Sequence, residues 1–286
     1  MKSYSVKTGP FRVRVGTSIA PVIENIALLY PGKVAEVMDD EFYDFHIDLT
    51  PPRSVRRWLK PQVLFFFDGQ ALFKPLPLNQ AYALFEWGLN WAISQHAHQF
   101  LILHAAVIAK NDRALLLPGQ PGAGKSTLCA ALVHRGWRLL SDELALISLA
   151  SGSITPLARP VCLKNQSIEV IRHFAPDAVF GPIVHDTVKG SVTHVKAPDS
   201  SIEQVDQKAL PAWIVFPRYQ ADSKCLLSDR KKGITFMDLA ELSFNYNLLG
   251  LDGFTAIDRL IKNCRAFDLQ YSCLDEALST LDKLNA

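Results

Sequence analysis

Gly119-Gln120-Pro121-Gly122-Ala123-Gly124-Lys125-Ser126-Thr127 fits the pattern G-x-x-x-x-G-K-[ST], the Walker A phosphate loop. Chance produces such a match in about one chain in a hundred of this length, and the flanks sharpen it. The apolar run 114–117 reads as a strand entering the loop, and 127–133 as a helix leaving it. Phosphate binding needs that order: glycines let backbone N–H groups surround phosphate oxygens, and the helix N-terminus adds partial positive charge. The nine residues 119–127 are therefore the candidate nucleotide-binding set, with Lys125 set to neutralise the terminal phosphates and Ser126 to ligate Mg²⁺. ATP and Mg²⁺ are the expected cofactors.

Outward from the loop, strands alternate with helices, which argues for an α/β fold. Residues 100–109 and 113–119 read as strands, 126–135 as a helix stopped by Gly136, and 137–141 as a strand followed by Asp142 and Glu143. If that strand passes beside the loop, Asp142 faces the terminal phosphate and takes the proton of an acceptor hydroxyl, while Glu143 sits at the metal or just outside its ligand shell. The expected metal set is Ser126, Asp142 and Glu143. Further on, 212–216 reads as a strand, 235–249 and 252–263 as helices, and the end of the chain as a helix capped by Ser272 with Asp275.

Before residue 79 the pattern is different. Short β-like runs at 11–15, 42–49 and 63–67, with a turn at Asp68-Gly69, suggest a small β-rich region over 1–78. After the proline-marked stretch 74–77, residues 79–96 read as a largely buried helix opening the phosphate-loop domain, 79–286.

Composition limits the function classes. The 286 residues carry 30 Lys+Arg against 28 Asp+Glu, so no strongly basic nucleic-acid binder is expected. Arg53, Arg56, Arg57 and Lys60 around Trp58 form a basic-aromatic cluster, read as a solvated face. Five scattered cysteines with no CxxC spacing suggest reduced thiols, and His96 and His98 lack partners at metal-ligand spacing. The N-terminus has no apolar leader core and the stretch 87–103 is interrupted by polar residues, so a soluble cytoplasmic protein is expected, with no membrane partner.

The stretches LILHAAVI (101–108) and GQPGAGKSTLCAALVHRGWRLLSDELALI (119–147) resemble the catalytic domain of the HPr kinase/phosphorylase family. The resemblance implies a kinase domain of HPr-kinase type, with Asp142 as base of phosphoryl transfer, His104 as its partner, and Glu143 where the family has a second aspartate. The family's downstream E-[IV]-R-G signature, tied to the reverse reaction, has no match; residues 157–165, LARPVCLKN, stand in its place. NWAI (90–93), ARPVCLKN (158–165), TVKGSVTHVKAP (187–198), FPRY (216–219) and FNYNLLGLDGF (244–254) look closer to the HPr-kinase-related kinase A branch. That branch implies a peptide or protein substrate, a PqqD-like chaperone partner and, from the parent family, a homo-oligomer.

The expected function is ATP-dependent transfer of the γ-phosphate to a hydroxyl, a serine of a peptide or protein. A non-catalytic nucleotide-binding regulator of a peptide-modifying complex and a small-metabolite kinase are the alternatives. Such transfer needs cations at the migrating phosphoryl group, and Arg159 and Lys164 follow the acids at the distance of the missing signature. Lys189 and Lys196 flank Gly190 in a segment, 187–198, read as a flexible substrate or phosphate clamp; Arg218 ends a strand.

Overall fold

The computed structural model describes residues 1–38, 41–55 and 59–285 and shows a mixed α/β fold built on three sheets. Arg56, Arg57 and Trp58 of the basic-aromatic cluster lie outside the described residues.

The central sheet runs in the order Ile154–Thr155, Leu144–Ser148, Phe100–Lys110, Arg113–Pro118, Leu210–Tyr219, Arg265–Tyr271, Leu226–Asp229, and Arg138–Ser141 also pairs with Phe100–Lys110. Its parallel trio is Arg113–Pro118, Leu210–Tyr219 and Arg265–Tyr271. Both faces are covered, so its strands read as continuous apolar runs rather than as alternation. Ala106, Ile108, Leu115 and Leu117 enter a core with the helices Lys125–Val133 and Leu274–Asp282. Their neighbours Ala105, Val107, Ala114 and Leu116 face the opposite core, under Leu251–Asn263. Leu115, Leu116 and Leu117 are fully buried, and truncating one to Ala would cost about 2–5 kcal/mol.

The first sheet has the order Val34–Glu36, Lys2–Thr8, Phe11–Thr17, Phe45–Thr50, Gln62–Phe67, Gln70–Ala71. Phe11–Thr17 and Phe45–Thr50 are parallel, which demands a crossover, and the helix Ala20–Leu29 supplies it. The helix Ala81–His96 packs Leu84, Phe85, Leu89 and Ile93 with Val13, Ile47, Leu49 and Phe65 of this sheet, and with Ile102 and Leu146 of the central one. It thus belongs to the seam between the two sheets.

A small third sheet, Val161–Lys164, Gly190–Val195 and Val184–Thr187, corrects the reading of 187–198 as flexible. Gly190–Val195 is held by antiparallel partners on both sides, and Thr193 and His194 are buried with Val192 and Val195. Polar residue types concealed a packed strand.

Two helix boundaries also differ from expectation. The segment 235–249 is two helices, Lys232–Glu241 and Tyr246–Leu249. Asn245 between them extends the strand edge: its Oδ1 accepts Ile102 N–H at 3.0 Å and its Nδ2 donates to Phe100 O at 2.8 Å. The last helix starts at Leu274 with Cys273 as N-cap, and Ser272 Oγ instead donates to Ser223 O at 2.7 Å. All five cysteines are unpaired, and among the described residues no helix is long and apolar enough to cross a membrane.

Candidate functional site

The glycine-rich loop 119–124 leaves the strand Arg113–Pro118 and ends at the helix Lys125–Val133. Gly124 caps that helix at φ 92°, and a Cβ there would meet Tyr271 Oη at 2.6 Å, so only glycine fits. The loop is braced from the parallel strands: Tyr271 Oη donates to Gly124 O at 3.3 Å and Tyr219 N–H to Ala123 O at 3.3 Å. Lys125 is only 7% exposed. Its Nζ donates to Gly119 O at 2.5 Å and Gln120 O at 3.0 Å. Burial lowers its pKa, with Asp142 working in the opposite sense.

Register places the acids. Ala105 pairs with Pro118 on one side of the strand Phe100–Lys110, while on the other side Val107 pairs with Ser141 and His104 with Leu144. The strand ending at Ser141 therefore does not lie beside the loop strand, as expected from sequence; Phe100–Lys110 intervenes. The loop's base and the two acids flank residues 104–107, two strand spacings or roughly 10 Å apart.

Between them opens a cleft of about 490 Å³. Pro121, Gly122, Gly124, Lys125, Ser126 and Thr127 line it from the loop, Asp142 and Glu143 from the strand junction, His104 from the intervening strand, and Cys162, Lys164, Asn165, Ser167 and Lys189 from the far wall. Gly119, Gln120 and Ala123 shape the loop without lining the cleft.

Asp142 is 7% exposed. Its Oδ2 accepts Cys162 N–H at 2.9 Å, and its Oδ1 is buried with no hydrogen-bond partner. Burial pushes its pKa up to about 6, Glu143 adding to the shift, while the Cys162 N–H and the approach of the Ser126 hydroxyl restrain it. His104 shares the cleft with Asp142, yet no hydrogen bond joins the two side chains; its ring meets Phe244 edge-on at 6.0 Å. Burial, then Lys125, with Lys164 and Lys189 adding, brings the His104 pKa down to about 4 against the pull of Glu143, leaving a neutral imidazole at pH 7.

The other expected cations divide. Lys164 reaches the cleft. Arg159 does not: it is 6% exposed and pairs with Glu86. Its Nη1 donates to Asn90 Oδ1, its Nη2 to Glu86 Oε2 and Glu86 O, and its Nε to Tyr30 Oη at 3.3 Å. Tyr30 and Tyr82 donate to Glu86 Oε1 at 2.8 and 2.5 Å. Burial works against the charge on Glu86, but Arg159, His194 and the hydrogen bond from Tyr82 together outweigh it, and the carboxyl stays below its usual range. Lys196 pairs with Asp199 at 2.7 Å, and Arg218 is exposed outside the cleft.

Three contacts escaped sequence reasoning. Cys162 serves Asp142 through its backbone, which no residue type signals. Asn90 Nδ2 donates to Glu143 Oε2 at 2.6 Å; because Arg159 occupies its Oδ1, the amide has one orientation open to it. Asn165 ties the far wall to the turn bearing Lys189.

The donor set suits Mg²⁺. Ser126, Asp142 and Glu143 offer oxygens, and the unpartnered Asp142 Oδ1 is the kind of buried acceptor a cation or an acceptor hydroxyl would satisfy. Among the described residues no cluster of three or more His, Cys, Asp or Glu that could hold a metal occurs.

No family model matches the chain, and no curated protein does. Among solved structures the chain is similar to the HPr(Ser) kinase/phosphatase from Coxiella burnetii, at 11% sequence identity and a TM-score of 0.28, over 64% of this chain and 97% of that one.

Proposed function

We propose that this chain is a phosphotransferase that binds ATP with Mg²⁺ and passes the γ-phosphate to a serine hydroxyl of a peptide or protein, as a member of the HPr-kinase-related kinase A branch. The observation that carries the reading is convergence: Lys125, Ser126 and a buried Asp142 with an unpartnered oxygen meet in one cleft. The loop N–H groups and Lys125 hold the triphosphate, Lys125 exchanging its two carbonyl partners for phosphate oxygens. Ser126, Asp142 and Glu143 would hold Mg²⁺, which screens charge on the phosphates. Without metal, burial lifts the Asp142 carboxyl to about 6, so it is mostly ionised at pH 7; facing the cleft beside Ser126, it takes the acceptor proton as the hydroxyl attacks. Neutral His104 places no further positive charge beside that carboxylate.

The test is incubation with γ-labelled ATP, Mg²⁺ and candidate serine peptides, read by mass spectrometry. A single phosphoryl group gained on serine supports the reading. Label only on free metabolites refutes the peptide part, and tight nucleotide binding with no transfer to any acceptor refutes the enzyme.

A further inference from the structure

Beyond the loop and its acids, the cleft contains two lysines to which the proposed transfer above gives no role. Lys164 ends the strand Val161–Lys164, and Lys189 sits on the turn before Gly190–Val195. Among the described residues, neither ammonium group pairs with a carboxylate, whereas Lys196 nearby in sequence pairs with Asp199.

The two lysines are held together by a built device. Asn165, next to Lys164, adopts φ 51°, accepts Ser191 N–H on Oδ1 at 3.1 Å and donates from Nδ2 to Lys189 O at 3.4 Å. Gly190 makes room for it: φ there is 81°, and a Cβ would run into Asn165 Oδ1. Thr187 Oγ1 donates to Gly190 O at 2.7 Å and accepts Lys189 N–H at 3.0 Å, fixing the same turn. Lys189 Nζ lies over the Trp87 ring at 5.2 Å from its centroid.

The order across the cleft gives this pair its meaning. Ser126 approaches Asp142, Asp142 Oδ2 takes the Cys162 N–H, and Lys164 stands two residues further along the same strand face, both residues lining the cleft. Asp142 therefore touches the loop side through Ser126 and the strand that carries Lys164 through Cys162. An acceptor hydroxyl at Asp142 has its neighbouring groups within reach of Lys164, whose backbone lies about 7 Å beyond that of Cys162 at 3.3 Å per extended residue, and Lys189 lines the same cleft.

We infer that Lys164 and Lys189 form an acceptor subsite selecting a polypeptide with a carboxylate side chain one or two residues from the phosphorylated hydroxyl. This rests on the phosphotransferase reading. The lysines attract the acidic segment and hold its register, so that the hydroxyl rather than water meets the phosphoryl group.

The test needs no turnover. The protein is saturated with Mg²⁺ and a non-hydrolysable ATP analogue, then titrated with two octapeptides containing a central serine, one flanked by glutamates and one by glutamines, and with glycerol 3-phosphate as a small hydroxyl-bearing anion. At least tenfold tighter binding of the glutamate peptide is expected, and Lys189→Gln and Lys164→Gln should each erase most of the difference while the glutamine peptide still binds as before, which reports the fold. Equal binding of the two peptides, or binding of glycerol 3-phosphate tighter than either, overturns the inference. So does a Lys189→Gln protein that loses nucleotide affinity but keeps the discrimination, since the lysine would then serve the nucleotide. Failure of the parent reading shows separately, as absence of nucleotide binding in the wild type before any peptide is added.

Discussion

Two cations are almost equally buried in this protein, and they do opposite work. Arg159, 6% exposed, is surrounded by Glu86, Tyr30 and Asn90, which satisfy its fork of donors. Lys125, 7% exposed, has only the carbonyl oxygens of Gly119 and Gln120. Burial opposes both charges, but the partners of Arg159 outweigh it and hold its pKa above the usual value, whereas Lys125 is left with a lowered one. A buried charge with its partners present is structure; a buried charge still wanting an anion is a site.

Asp142 supplies the strongest attempt to break that contrast, because it too is buried without full satisfaction. Asp142→Asn keeps an acceptor for Cys162 N–H but removes the basicity, and phosphoryl transfer from γ-labelled ATP should fall about 10³–10⁴-fold. Wild-type initial rates in the variant would move the base elsewhere, with Glu143 next in line.

Arg159→Ala attacks the satisfied side of the comparison. It strands the Glu86 carboxylate in a buried pocket with two tyrosines, and a urea titration should show about 3–5 kcal/mol lost. Lys125→Ala, by contrast, should stay within about 1 kcal/mol of wild type in the same titration while nucleotide binding weakens. Equal losses for the two variants would abolish the distinction drawn here.

A smaller effect has a sign that can be worked out. The Asp142 pKa is raised from 3.8 to about 6 in the folded protein, so the fold binds a proton that the unfolded chain releases, and stability falls as pH rises between those values. At pH 8, without metal, the ionised buried carboxylate costs about 2–3 kcal/mol by that shift. Asp142→Asn should therefore raise the melting temperature at pH 8 and lose the advantage below about pH 4. A less stable variant at pH 8 would mean that the carboxylate is better solvated in the fold than its burial implies.

Asn90 joins the two regions, since its Oδ1 accepts a hydrogen bond from Arg159 on one side and its Nδ2 donates one to Glu143 on the other. Asn90→Ala should raise the Mg²⁺ concentration needed for half-maximal transfer by about tenfold, with less effect on the rate at saturating metal. An unchanged Mg²⁺ titration would leave Asn90 as part of the Arg159 cluster alone.

How much of this could be read in advance depends on how far apart the interacting groups are along the chain. The strand–loop–helix arrangement around 119–124 was legible because the flanking strand and helix are written into adjacent apolar patterns. Asp142 and Glu143 were legible as a strand-end pair, although the strand beside them is Phe100–Lys110 rather than the one feeding the loop. Lys164 was found at the cleft and Arg159 was not, and nothing in ARPVCLKN separates their fates.

By itself, then, the amino-acid sequence determined the α/β alternation around 100–141, the position of the loop and the identity of the acids, because each depends on residue types at short, fixed spacings. Tertiary structure alone decided that Arg159 meets Glu86, 73 residues away, that Glu143 is held by Asn90 at a separation of 53, and that Lys189 stands near Lys164 through Asn165. Those pairings depend on which faces three sheets and a shared helix bring together in space, and a side chain's charge is satisfied or left available only once its neighbours are in place.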